Sequence, residues 1–371
     1  MSWKNHLIKA FLWLLSPEAT RPKPGKKADR FLIVSTTGLG DTLWGTPAIR
    51  ALRQTYPESN ICVLTSEVGQ QILQHNKHID ELFVVGSSPL FSLLRFYPTL
   101  KKRKFNAILV FHTSQRALLP FCALLEPNEI IGTEGINKDL DFLLTKPKPA
   151  KRQHEIERRL DIVKEVGAYV SEMSLEMVTR KEEAQAADRF LAGHGIAEHI
   201  PIIGLHPGAK NRFKQWPAAA FVEVGKRLVQ HTGCQIIVSG DQSEAFLVLD
   251  IASKIPGAIP VAGELDIATF TALLKKMRLF ITNDTGPMHL AFAALTPTVA
   301  IFGPTDPYLC GPFKAKHTRV LSAKKTCSPC IKKRCPEPFC MMQIGPEQVY
   351  DAALELFCEC PEQSLLRGLT W

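Results

Sequence analysis

The chain predicts an α/β protein made of two doubly wound, Rossmann-like parallel-sheet domains. Three observations carry that expectation. Short apolar runs that read as buried strands alternate with helical patterns along nearly the whole chain. In each half, one such run breaks off into a glycine-bearing polar loop and restarts as a helix. At 371 residues with 45% hydrophobic content, the chain can bury a substantial core and exceeds what one domain usually holds.

Taken in order, Trp3, Leu7, Ala10, Phe11 and Leu14 fall at helical spacing and predict an amphipathic helix over residues 1–20, lying on a membrane surface or else packed on the protein itself. The apolar run from Ala10 to Leu15 is too short to span a bilayer, and no small-residue cleavage site precedes the proline. A first domain is expected over residues 28–175, with strands near Phe31 to Ser35, Ile61 to Thr65, Leu82 to Val85, Ala107 to Phe111 and Ile130 to Gly132. Lys146-Pro147-Lys148-Pro149 reads as a stiff, charged connector. A helix from about His154 to Val166 still belongs to this lobe, so the hinge is placed near Met173 to Lys181. A second domain is expected over residues 181–345, with strands near Ile202 to Leu205, Gln235 to Ser239, Ile259 to Val261, Leu279 to Ile281 and Thr298 to Phe302. A final helix is expected over residues 346–371, with Val349, Ala352, Ala353, Leu356 and Phe357 on one side; it could cross back to the first lobe, as the last helix of many two-lobed folds of this kind does.

The two loops carry the chemistry. Ile281-Thr282-Asn283-Asp284-Thr285-Gly286-Pro287-Met288-His289 takes a strand into a helix start, which aims backbone N–H groups and a positive helix end at one point and so suits a phosphate. Thr285 adds a hydroxyl donor and His289 a ring nitrogen. The competing interpretation is an Asp/Thr N-cap over a buried histidine. In the first half, Phe31 to Ser35 runs into Thr37-Gly38-Leu39-Gly40-Asp41-Thr42. This loop lacks the third glycine and the downstream acid of a dinucleotide fingerprint, which sets nicotinamide binding aside. Asp41 is a carboxylate at the mouth of a sheet; its plain structural role would be a helix N-cap.

With these loops in view, the chain resembles glycosyltransferase family 9, the ADP-heptose:lipopolysaccharide heptosyltransferases, most like heptosyltransferase II. The resemblance rests on Thr37-Gly38-Leu39-Gly40-Asp41 with Thr46-Pro47-Ala48; Leu205-His206-Pro207-Gly208-Ala209 leading to Lys214-Gln215-Trp216-Pro217; Gly240-Asp241-Gln242-Ser243-Glu244; and Asn283 to His289 with Phe302-Gly303-Pro304-Thr305-Asp306-Pro307. Together these cover roughly residues 30 to 345, and Cys327-Ser328-Pro329-Cys330 with Cys335-Pro336 is a further match.

The resemblance implies a GT-B architecture of two facing lobes with a cleft between them, the first holding the acceptor and the second the nucleotide sugar. It also implies an inverting single displacement with Asp41 as base, and it gives Gly38, Gly40 and Thr42 as the acceptor-side loop. Lys214, placed by the Trp216-Pro217 anchor, is the expected catalytic cation on the diphosphate. Gly208 and Ala209 stand where some members carry hydroxyl residues on the phosphates, so backbone N–H groups would substitute. Glu244 suits ribose hydroxyls, or else is a first-turn helix acid. Asp284, Thr285, Gly286 and His289 close the donor site. The charge of Asp284 argues against direct diphosphate contact, which leaves it to orient the loop or touch the sugar.

The net charge of +9 is clustered in Lys101-Lys102-Arg103-Lys104, in Arg21 to Arg30, and in eight Lys/Arg between Lys314 and Arg334 with no acid among them. Such patches suit an anionic glycolipid at a membrane surface. Nucleic acid is set aside, because aromatic residues are not interleaved with the basic runs and no nucleic-acid motif occurs. The ten cysteines do not resemble a secreted disulfide scaffold. Cys327, Cys330, Cys335 and Cys340 have knuckle-like spacing; the resemblance implies no metal in catalysis, and reduced loop thiols are favoured over a structural metal or a disulfide. No cofactor is required beyond the ADP-activated sugar as substrate. The expected setting is the cytoplasm, peripheral on the inner face of the cytoplasmic membrane. Alternatives are another GT-B nucleotide-sugar enzyme, such as a UDP-sugar transferase or epimerase, and a non-catalytic sugar-nucleotide-binding protein.

Overall fold

A computed structural model describes residues 29–359 except 114, 325–326, 328–329, 331–334 and 336–337. The predicted helix over residues 1–20, most of the basic segment before Arg30 and residues 360–371 lie outside the described residues. The chain divides into two units between Val178 and Thr179.

The first unit contains β1 (Arg30–Ser35), α1 (Leu39–Leu43), α2 (Thr46–Thr55), β2 (Asn60–Ser66), α3 (Glu67–Leu73), β3 (Glu81–Val85), α4 (Pro89–Arg103), β4 (Ala107–His112), α5 (Leu118–Leu124), β5 (Glu129–Thr133), β6 (Lys146–Lys148) and α6 (Glu155–Lys164). Its strands are parallel and ordered β3-β2-β1-β4-β5-β6. Phe31 to Val34 are wholly buried, as a central parallel strand covered on both faces requires.

The second unit contains α7 (Lys181–Gly193), β7 (Ile202–His206), α8 (Ala218–Thr232), β8 (Gln235–Gly240), α9 (Ala245–Ser253), β9 (Ile259–Ala262), α10 (Ile267–Lys276), β10 (Leu279–Asn283), α11 (Gly286–Ala293), β11 (Thr298–Phe302), α12 (Pro307–Cys310), β12 (Thr318–Ser322) and α13 (Pro346–Glu359). Its strand order, β12-β11-β10-β7-β8-β9, repeats the first unit's topology. In both sheets, connections leave in opposite directions on either side of one strand pair, β1 with β4 and β7 with β10. A doubly wound sheet opens its binding crevice at the carboxyl ends of such a pair.

Each sheet has six strands, one more than the sequence predicts. The connector at Lys146 to Pro149 contributes β6, where Pro147 is tolerated because the strand lies at the sheet edge. β12 is likewise an edge strand, and it is too polar and exposed to read as an apolar run. Val349, Tyr350, Ala352, Ala353 and Leu356 of α13 pack within the second unit's own core, and Trp216 Nε1 donates to the Ile344 carbonyl at 2.8 Å just before the helix begins. Among the described residues, no helix is long and apolar enough to cross a membrane.

Candidate active site

Asp41 lies in α1, in the turn that follows β1. It is not an N-cap: that position belongs to Gly38, in extended backbone. Its Oδ1 accepts from Arg159 Nη2 at 3.3 Å. Arg159 is fully buried and its Nη1 donates to the Glu155 carbonyl at 2.8 Å and the Glu155 carboxylate at 2.7 Å. The guanidinium also stands 5.4 Å from the centre of the Trp44 ring. Two carboxylates and an aromatic face therefore offset the burial of this cation, and Asp41 is held from behind while its side chain stays 29% exposed.

His112 ends β4, the strand across the switch point. A bulge between Val34 and Ser35 pairs Ser35 with His112 and re-aims this end of the sheet. Burial pulls the His112 pKa below its ordinary value, partly opposed by the charge of Asp41, and its Nδ1 has no hydrogen-bond partner among the described residues. Thr42 donates its hydroxyl to the Gly38 carbonyl at 3.1 Å and is itself buried, so it braces the loop. Gly40 lies within α1.

In the second unit, the segments after β7 and β10 meet through Asn283. Its amide donates to the Pro207 carbonyl at 2.8 Å, and its oxygen accepts the Trp216 N–H at 3.1 Å. Lys214 Nζ donates to Asp284 Oδ2 at 2.6 Å, and Thr305 donates its hydroxyl to the same oxygen. The Asp284 carboxylate is thus tied to the segments that carry Lys214 and Thr305. Thr285 occupies the N-cap of α11 but makes no side-chain capping bond. His289, one turn in, is buried with its ring edge-on to Phe292.

Gly208 follows β7 directly beneath Glu244: a Cβ there would stand 2.1 Å from the carboxylate. Glu244 also accepts the Asp241 N–H at 3.1 Å, and the Asp241 carboxylate accepts the Glu244 N–H in return. Burial raises the Glu244 pKa above the usual carboxylate range. His206, 3.9 Å away, is buried and pushed down to about 4, so the two do not form an ion pair near neutrality. Ala209 is buried, with its carbonyl accepting from Gln215 Nε2 at 3.0 Å.

Cys327, Cys330 and Cys340 are free thiols, and among the described residues no group of three or more His, Cys, Asp or Glu is placed to hold a metal ion.

The family model for glycosyltransferase family 9 (heptosyltransferase) matches residues 93–340, more than half of the chain. The chain belongs to glycosyltransferase family 9. It is therefore a glycosyltransferase, and relatives agree. Lipooligosaccharide heptosyltransferase 2 of Campylobacter jejuni is 33% identical over 162 residues, 42% of this chain and 50% of that protein, so this match spans about half of its length. Lipopolysaccharide heptosyltransferase 3 of Escherichia coli K12 is 26% identical over 72% of this chain and 80% of that one. The fold is similar to that of the Escherichia coli ADP-heptose lipopolysaccharide heptosyltransferase II, with a TM-score of 0.73 at 17% identity, covering 89% of this chain and 99% of that one. Each unit accordingly has the doubly wound architecture of the GT-B fold.

In this family 9 member, the candidate residues form two groups. Asp41 stands with Gly38, Gly40 and Thr42 at the first switch point; Gly208, Ala209, Lys214, Glu244, Asp284, Thr285, Gly286 and His289 gather at the second. Arg159, Glu155 and His112 were not singled out from the sequence, and Asn283 and Thr305 stood there only as members of motifs, without a role of their own. A histidine ending a predicted strand was a visible signal for His112. Arg159 carried none, since an arginine in an amphipathic helix ordinarily faces water.

Proposed function

We propose that the protein transfers a heptose from ADP-heptose to the inner core of lipopolysaccharide by an inverting, single displacement. The observation that carries the reading is that each switch point presents what one half of this reaction needs. The first offers an oriented carboxylate; the second offers a helix start, glycine-bearing backbone and an ammonium group. In the reaction, an acceptor hydroxyl attacks the anomeric carbon, its proton passes to Asp41, and the bond to the ADP oxygen breaks with its electron pair leaving on the diphosphate. Lys214 has protons beyond the one given to Asp284, and these are its means of meeting the departing charge. Glu244 accepts from ribose hydroxyls, and Gly208 has no side chain to hold it off. The first unit takes the acceptor, an anionic glycolipid that its basic run at Lys101 to Lys104 suits. The names of the relatives support the heptose and the lipopolysaccharide core. We place the enzyme in the cytoplasm, at the inner face of the membrane, where a nucleotide sugar and a lipid-linked acceptor meet.

The test is Asp41→Asn, which keeps an oxygen for Arg159 but cannot take a proton. ADP release in the presence of core acceptor should fall about 10²-fold or more with ADP affinity unchanged. Turnover equal to that of the wild type would remove Asp41 from this role.

A further inference from the structure

The helix α4 has two apolar faces, and among the described residues one of them is packed in the core while the other stays exposed. Leu93 and Leu100 are buried in the first unit's core, with Phe96 and Tyr97 packed beside them. Leu90, Phe91 and Leu94 are 66%, 68% and 65% exposed. Three large apolar side chains at one end of one helix are not the scattered exposure ordinary in soluble proteins. At positions 90, 91 and 94 they lie together, and Arg95 and Lys102, both exposed, continue the same face. From Pro89 to Arg103 the helix contains no Asp or Glu. An apolar cluster flanked by cations and free of acids matches the layered chemistry of an anionic bilayer, with acyl chains below and phosphates above. The long stems of Arg95 and Lys102 let their charges reach that upper layer. Position matters as well: three residues separate the carboxyl end of β3 from α4, so its first turns lie at the edge of the sheet where the Asp41 loop also opens.

We propose that the first turns of α4 seat the protein on an anionic bilayer, with Leu90, Phe91 and Leu94 entering the acyl boundary and Arg95 and Lys102 among the phosphates. The seat brings the acceptor unit's mouth to the surface from which a lipid-linked acceptor projects. It rests on the glycolipid reading above.

The experiment uses the full chain and phosphatidylcholine vesicles with and without phosphatidylglycerol. Wild type should sediment with the anionic vesicles, and the combined change Leu90→Ser, Phe91→Ser and Leu94→Ser should lower that affinity about tenfold or more. The single change Phe91→Trp should add emission that is blue-shifted and quenched by brominated acyl chains, beyond any wild-type signal. Transfer to a deacylated, water-soluble core oligosaccharide should be the same in the triple variant and wild type. Affinity within twofold of wild type, or added emission that brominated lipid does not quench, overturns the proposal. So does a wild-type dimer in solution that the triple variant breaks, because the face would then belong to a second copy. A wild type that cannot glycosylate the soluble core would count against the glycolipid reading alone.

Discussion

Asp41 and Arg159 lie 118 positions apart in the chain and act together. The guanidinium is wholly buried, so it has little freedom to move, and what it holds is held firmly. Replacing it with an uncharged side chain of similar length, Arg159→Met, leaves Asp41 charged but unoriented. We expect kcat to fall at least tenfold with ADP affinity intact, and stability to fall by about 3 kcal/mol because the Glu155 and Asp41 charges lose their partner. Steady-state kinetics and urea unfolding read the two effects separately. Gly208 makes a different point. Its backbone needs no special conformation; its value is the missing Cβ, which would collide with the end of the Glu244 side chain. Because that end can swing away, Gly208→Ala should fold normally, yet ADP affinity should drop about tenfold as the ribose acceptor is displaced. Calorimetric titration with ADP checks this, and an unchanged affinity would show that Glu244 does not meet the nucleotide.

At the scale of elements, the strand-to-helix junctions do most of the positioning. Asn283 ends β10, yet its side chain ties together the loop after β7 and the chain entering α8. Trp216 then reaches the carbonyl of Ile344 at the approach to α13, so the last helix is fastened to the loop that carries Lys214. Trp216→Phe keeps the ring packed against Phe221 but strands a buried carbonyl. The expected cost is about 1 to 3 kcal/mol, seen as a lower urea midpoint at unchanged slope. The edge strands show the opposite case. β6 and β12 hold little apolar sequence because a strand at the rim of a sheet is covered less, and among the described residues each pairs with its inner neighbour alone.

For the whole molecule, one topology is used twice, and each copy has its own large core. A unit with a core of its own can unfold as a separate cooperative block, and two calorimetric transitions are expected here. ADP should therefore raise one calorimetric transition, that of residues 179–359, by about 2.7 kcal/mol at a hundredfold excess over Kd, and leave the other in place. UDP should raise neither. A shift of the transition of the first unit would reverse the assignment of donor and acceptor.

Much of this was legible in the chain. Ten of the twelve strands and both glycine loops could be placed, because a buried parallel strand is an unbroken apolar run and a strand-to-helix turn needs small and polar residues at fixed places. Those signals are local, and so are the motifs that carry the resemblance to family 9. Only the tertiary structure decided what each polar side chain faces. Asp41 could as well have been a cap, and Asp284 could have faced solvent. Arg159 had no reason in its own neighbourhood to be anything but a surface cation. Its role comes from the packing of α6 against α2, β4 and β5, which brings it to Asp41 of α1, and burial and pairing across such distances are set by how the layers meet rather than by any run of neighbouring residues.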